Sequence, residues 1–250
     1  MTTEAKSLNF VEAALNYADG GHRSRLVPIH DARAISEQLS LDRQGFALLH
    51  HESAIVNFYD KAEVLAVYYP EVERLLKEVT GASRVVPFEH DVRRAAQRGA
   101  GDVREPVRVV HDDYTEKSAP DRVRLYLPGE ADRLLLDHYA VINVWRPING
   151  PVRDTPLAVC DARSLAVTDL IPTESGVKHE VYLFNFSPHH RWFYFSGMRN
   201  DEALLLKCFD SMRDGRARFT AHTAFDDPSA PPNPPARESI EVRALVFFAD

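Results

Sequence analysis

Hydrophobic and polar positions change rhythm twice along the chain. Between Phe58 and Val79 the apolar residues Val64, Leu65, Val67, Tyr68, Leu75, Leu76 and Val79 recur at the spacing of a helix face. Pro70 falls inside this pattern and predicts two short helices, because an internal proline removes a hydrogen bond and clashes with the preceding turn. Gly81 supplies the stop. On either side, Gly45–His50 (GFALLH) and Arg84–Phe88 (RVVPF) are short apolar runs suited to strands. A second helical stretch, from Pro120 to about Asp137, is broken by Pro128-Gly129.

Beyond this point the rhythm becomes one of short aromatic and β-branched runs. Tyr139–Arg146, Leu157–Asp161, Glu180–Phe186, Arg191–Phe195, Leu204–Phe209 and Glu238–Phe248 all read as strands. Turn signals at Pro147-Ile148-Asn149-Gly150 and Ser196-Gly197 separate them, and no αβ alternation is visible. The pattern predicts a mainly β protein with flanking helices and an antiparallel sandwich or jelly-roll core. Asp226–Ala236 (DDPSAPPNPPA) holds five of the 16 prolines and reads as a stiff surface loop between two strands, since only 14 residues follow it.

Composition narrows the partners. At 250 residues, 44% hydrophobic and 27% charged, the chain can bury a full core, and a single domain over 1–250 is expected, with a mixed N-terminal part to about 105 and the β core from about 106. A net charge of -7 without a basic stripe argues against nucleic acid and for a small-molecule substrate. Cys160 and Cys208 show no zinc-type spacing and are expected to be reduced and structural. The N-terminal MTTEAKSLNF lacks a signal pattern, and no apolar run approaches the ~20 residues that span a bilayer. A cytoplasmic protein that does not contact membranes is expected; a homodimer or a partner subunit stays open.

Candidate chemistry begins at Val107–Tyr114, a strand-like run through His111-Asp112-Asp113. Alternation along a strand sends His111 and Asp113 to one face and Asp112 to the other. A His and a carboxylate projecting together supply two ligands of the facial triad that binds non-haem iron(II). With 11 His in the chain, roughly one His-x-Asp arises by chance, so the pattern alone decides little. Farther on, Arg237 and Ser239 are i,i+2 neighbours opening the last strand, where a guanidinium and a hydroxyl can clamp a carboxylate.

The order His-x-Asp, a gap of about a hundred residues, a distal His, then Arg-x-Ser resembles that of iron(II)/2-oxoglutarate oxygenases. More specifically, HDDYT, INVWRP, PLAVCDARS, HHRWFYF, LLLKCFDS, HTAFDDP and RESIEVRALVFF are similar to segments of the gibberellin desaturase and cephamycin methoxylase-component group of secondary metabolism. GFALLH, YYPEVERLLKEVTGA and FEHDVR extend the likeness over most of the chain. The resemblance implies a double-stranded β-helix (a cupin-like jelly roll), iron(II) on His111, Asp113 and His222, and the distal carboxylate of 2-oxoglutarate on Arg237 and Ser239. It also implies a dioxygenase that hydroxylates, desaturates or cyclises a small molecule, with O2 consumed and succinate and CO2 released. Asp112 departs from the pattern as an extra acid inside the motif.

Around these positions, Asn143 is expected to bond the co-substrate, the substrate or a core partner, since buried amides need partners either way. Tyr114, Trp145, Arg146, His90 and Arg93 are candidates for the substrate pocket, His90 and Arg93 being equally readable as a surface charge cluster with Glu89 and Asp91. His189 and His190 are neighbours on a strand and face opposite ways, against a shared metal. Arg243, on the Arg237 face, is expected to pair with an acid. Rival readings are a cupin-like metal hydrolase or isomerase, a methyltransferase, disfavoured because no glycine-rich strand-to-helix turn is present, and a non-catalytic partner subunit.

Overall fold

The computed structural model of the chain describes residues 8–19, 23–95, 103–174 and 179–249; most of the N-terminal segment read for a targeting signal lies outside them. The described residues form two facing β-sheets, with one helical layer on an outer face and a second helical pair packed against the core between the sheets. The strands are β1 (Phe10–Tyr17), β2 (Arg23–Asp31), β3 (Phe46–His50), β4 (Arg84–Arg94), β5 (Val103–Arg104), β6 (His111–Asp112) and β7 (Tyr139–Pro147). They continue with β8 (Leu157–Cys160), β9 (Leu170–Glu174), β10 (Glu180–Phe184), β11 (Trp192–Tyr194), β12 (Glu202–Asp210), β13 (His222–Ala224) and β14 (Glu238–Phe247). One sheet has the order β1-β2-β11-β8-β13-β6-β10-β9 and the other β3-β12-β7-β14-β4-β5. Nearly all pairings are antiparallel, as the expected jelly roll requires; β11 with β2 and β4 with β5 run parallel.

The central strands of the six-stranded sheet are buried on both faces, which is why β7 and β12 are mostly apolar, whereas β14 alternates an apolar stripe with buried polar residues. Ala140, Ile142 and Val144 of β7 and Ile240, Val242, Ala244 and Val246 of β14 pack on the helices. Val141, Trp145, Leu245 and Phe247 face the other sheet. The helical layer comprises α1 (Lys61–Glu63), a π-helical stretch (Val64–Tyr68) and α2 (Tyr69–Thr80), which run on without a break. The expected interruption at Pro70 does not occur. The Tyr69 N–H bonds the Val64 carbonyl, five residues back, so the wider turn accommodates Pro70 within the first turn of α2. Gly81 ends α2 as expected, at φ 70° with its N–H on the Lys77 carbonyl. The helices α3 (Ser118–Tyr126) and α4 (Ala131–Leu134) flank the Pro128-Gly129 break.

The six core strands read from the sequence are all present, with ends shifted by at most two residues. The β1–β2 hairpin, β5 and β9 were not expected, and β4 runs well past Phe88 to Arg94. Both cysteines are free and buried. Among the described residues no helix is long and apolar enough to cross a membrane.

Candidate active site

The site lies between the sheets, where two short strands bring their polar residues opposite each other. His222 of β13 pairs directly with His111 of β6 in the antiparallel ladder, and the two imidazoles stand 4.4 Å apart between centroids. Each ring points its Nδ1 at the carbonyl two residues earlier, Val109 for His111 (2.8 Å) and Thr220 for His222 (2.9 Å). A nitrogen facing a carbonyl must carry the proton, so in both neutral rings Nε2 keeps its lone pair. The Asp113 Oδ1 is 3.6 Å from His111 Nε2, and donor atoms of His111, Asp113 and His222 all lie within 4.8 Å of one another. Burial, with His222 alongside, pushes the His111 pKa down to about 3, so it stays neutral and free to bind a cation.

Asp113 is held by its other oxygen. Oδ2 accepts from Asn143 Nδ2 at 2.7 Å and from Arg243 Nε at 3.0 Å, which leaves Oδ1 on the imidazole side. Burial alone would raise this carboxyl, yet Arg243, His222 and His111 hold it well below the ordinary carboxylate range. Arg243 also bonds Asp91 (3.0 Å) and Glu241 (2.9 Å), fulfilling the expectation that it pairs with an acid. Asp112 faces the opposite way, as alternation predicts, and its Oδ2 accepts from the Thr220 N–H at 3.2 Å. Burial and the adjacent Asp113 charge push its pKa well up. Asp112, Cys208 and His222 form a second group of possible donors.

Two openings reach these residues. A narrow inner cavity of about 20 Å³ is lined by His111, Trp145, His222, Arg237, Arg93 and Glu241. An outer cavity of about 700 Å³ is lined by His111, Asp113, Arg243 and His179 and, on one wall, Val107, Val109, Val181 and Leu183. Arg237 is buried at the inner cavity with its guanidinium 5.5 Å over the Trp145 ring and NH1 on the Thr155 carbonyl at 2.6 Å. Its Nε has no partner among the described residues, and burial with Arg93 nearby lowers its pKa to about 9. Thr155 presents that carbonyl from φ 49°, a left-handed conformation uncommon for a β-branched residue. Ser239 is buried two residues on, opposite Arg93 across the β4–β14 ladder, but is not among the inner-cavity lining.

The remaining expected positions divide. Trp145 lines the inner cavity, His90 the outer one, and Arg93 both. Arg93 also contacts Asp91 at 3.4 Å, so the charge cluster expected at the surface sits on the cavity wall instead. Asn143 shares the Trp145 face but gives its amide N–H to Asp113. Two candidates are corrected. Arg146 points to the helix side of β7, where it bonds His51 and the Asn200 carbonyl and stacks on Phe58 and Tyr68, because its even register position faces away from the cavity. Tyr114 is fully buried in the core, stacked on His179, and does not line the outer cavity. His190 bonds Asp169 and Tyr17, the ordinary structural reading. Glu241, His179 and Arg122 line the cavities without having been expected; Glu241 alone was legible, as the next inward position after Arg237 and Ser239.

The donor set fits a divalent iron ion: two imidazole Nε2 lone pairs and one carboxylate oxygen make the two-His, one-carboxylate combination. The unpartnered, buried Arg237 Nε suits the carboxylate of an oxo-acid. A family model described as "Oxidoreductase/YMDC permease-like domain" matches residues 3–247. The chain is 34% identical to hydroxylase/desaturase efuI of Hormonema carpetanum, over 96% of each protein. It is 36% identical to the Fe(II)/2-oxoglutarate-dependent dioxygenase nvfI of Aspergillus novofumigatus, over 88% of this chain and 82% of that one. A solved structure of the iron and alpha-ketoglutarate-dependent endoperoxidase NvfI superposes with a TM-score of 0.89 at 30% identity, covering 98% of this chain and 99% of that one. These likenesses favour an oxygenase over the hydrolase, isomerase and methyltransferase readings and bring with them iron(II), 2-oxoglutarate, O2 and a small-molecule substrate. The chain belongs to the iron(II)/2-oxoglutarate-dependent dioxygenases, within a hydroxylase/desaturase group of secondary metabolism.

Proposed function

We propose that His111, Asp113 and His222 hold the iron, that Arg237 anchors the distal carboxylate of 2-oxoglutarate, and that the outer cavity receives the substrate. The observation that carries this reading is the convergence of two Nε2 lone pairs and Asp113 Oδ1 beside the buried Arg237. When bound, the metal and 2-oxoglutarate would activate O2, the oxidant, which takes two electrons from 2-oxoglutarate as it becomes succinate and CO2 and two from the substrate.

The protein's own residues act on position and charge. Asn143 and Arg243 occupy Oδ2 of Asp113, so the carboxylate presents a single oxygen and stays anionic. The carbonyls of Val109 and Thr220 fix both imidazole tautomers. The Trp145 ring, 5.5 Å from the Arg237 guanidinium carbon, makes a cation–π contact that helps hold it in place. Ser239, one pleat along, supports the clamp if Arg237 or Trp145 shifts as the narrow inner cavity fills. Whether hydroxylation, desaturation or ring closure results depends on how the substrate is placed relative to the metal, a matter for the outer cavity.

Anaerobic protein given iron(II) and then 2-oxoglutarate should develop a visible metal-to-ligand charge-transfer band. His222→Ala should fold with an unchanged circular dichroism spectrum, bind no stoichiometric iron and show no band. Turnover at the wild-type rate in that variant, or no band in folded, iron-loaded wild type, would sink the assignment.

A further inference from the structure

Building on the oxygenase reading, we propose that Arg122 binds an anionic oxygen of the substrate, a carboxylate or an ionised enol carried on an apolar skeleton. Four arginines line the outer cavity. Arg243 is shared by Asp113, Asp91 and Glu241. Arg93 donates to the Glu105 carbonyl at 2.9 Å and contacts Asp91. Arg104 is largely exposed and reaches Asp91 at 3.3 Å.

Arg122, in the middle of α3, differs from the other three. It is only 7% exposed, and its Nε has no partner among the described residues. Its nearest acid, Glu89, is 4.0 Å away, beyond hydrogen-bond reach, and Glu89 already accepts the Tyr126 hydroxyl at 2.5 Å. Arg122 meets the Tyr126 hydroxyl but has no acid within hydrogen-bond reach, so an anion arriving in the cavity supplies the counter-charge that its buried guanidinium lacks. The same cavity offers Val107, Val109, Val181 and Leu183 as an apolar wall and has His111 and Asp113 at its floor. A cavity of about 700 Å³ suits a drug-sized ligand. An apolar body laid on the valine and leucine wall with its anion on Arg122 therefore reaches the proposed metal position.

The test uses iron(II)-loaded protein, held anaerobically with saturating 2-oxoglutarate so that the inner cavity is filled. Calorimetric titration then compares 2-naphthoate with 2-naphthamide, and 4-hydroxycoumarin with its 4-methoxy ether; the first pair reports a carboxylate, the second an ionised enol. At least one anion should bind about tenfold or more tightly than its neutral mate. Arg122→Gln should weaken that anion by about 10–100-fold, the range of a charge-assisted hydrogen bond, and move the neutral probe by less than about threefold. Glu89→Gln, which removes a competing negative charge, should tighten the anion. Equal affinity within both pairs in wild type overturns the proposal, as does an equal loss of both probes in Arg122→Gln. Should that variant not fold, the wild-type comparison and Glu89→Gln decide. Absence of the 2-oxoglutarate band would instead defeat the oxygenase assignment of residues, so the two failures are distinct.

Discussion

Replacing Arg243 by methionine removes a cation that three acids share. Its guanidinium bonds Asp113 at 3.0 Å, Asp91 at 3.0 Å and Glu241 at 2.9 Å, and the four side chains are between 8% and 12% exposed. Removing one partner from a buried ion pair costs about 3–5 kcal/mol because a charge is left uncompensated. Here three carboxylates are left, but they can neutralise by taking up protons, so the same range applies to the whole cluster. Against a total stability of roughly 5–15 kcal/mol this is a large fraction. For a chain of this size it corresponds to a fall in Tm of roughly 6–20 °C.

The pH dependence has a definite sign. Asp91 and Asp113 both sit below the ordinary carboxylate range in the folded protein. Their contribution is present above the unfolded carboxylate pKa of about 4 and is lost as pH falls through the lower folded values. The variant lacks that contribution. The gap between the two proteins should thus be widest above about pH 5 and shrink below about pH 4. Urea unfolding of metal-free protein at pH 7 and pH 4 measures both quantities. A difference under about 1 kcal/mol at pH 7, or one that grows on acidification, would refute the claim that Arg243 is the counter-charge for this cluster.

Three further substitutions probe the surroundings. A Cβ at Gly45, where φ is 89°, would stand 2.3 Å from Thr220 Oγ1, so Gly45→Ala should cost about 2–5 kcal/mol in chemical denaturation and, by moving Thr220, weaken metal binding at His222. Asn143→Leu removes one of the two donors on Asp113 Oδ2 and should weaken iron(II) affinity about 10–100-fold in a competition titration while secondary structure is kept. Arg146→Met should lower stability by about 2–4 kcal/mol, since it leaves the His51 and Asn200 carbonyls unpaired, yet leave the Kd for 2-oxoglutarate unchanged; a selective loss of co-substrate binding would return Arg146 to the active site.

The sandwich was readable because β7 and β12 bury both faces and so appear as mostly apolar runs, while β14 carries an apolar stripe on one face. The β1–β2 hairpin was not, because it sits at a sheet edge and half its residues face solvent: Leu26 is 68% exposed and Arg23, Ser24 and Pro28 interrupt the run. β4 past Phe88 was obscured by Glu89, His90, Asp91, Arg93 and Arg94, which look like a surface segment until the strand is seen to border the cavities. Pro70 misled for a different reason. A proline forbids a normal helical turn before it, but a π turn is an alternative that hydrophobic spacing does not reveal.

Alternation also explains why the site residues were more legible than their partners. From Arg237 into β14 the odd positions share one face: Arg237, Glu241 and Arg243 line the cavities, Ser239 is buried between them, and Leu245 and Phe247 continue that face as packed core. The even positions Ile240, Val242, Ala244 and Val246 all pack on the helices. A register shift of one residue would exchange the two faces, driving two arginines and a glutamate into the helix-packed layer. The pairing register that buries the apolar stripe is therefore the same one that delivers the charged stripe to His111, Asp113 and His222. Arg243 meets Glu241 two residues back on its own strand, but Asp113 and Asp91 come from 130 and 152 residues away, and no periodicity within β14 encodes them. This is why Arg243 could be read as the partner of some acid, while the Asp113–Arg243–Asp91 chain required the folded protein.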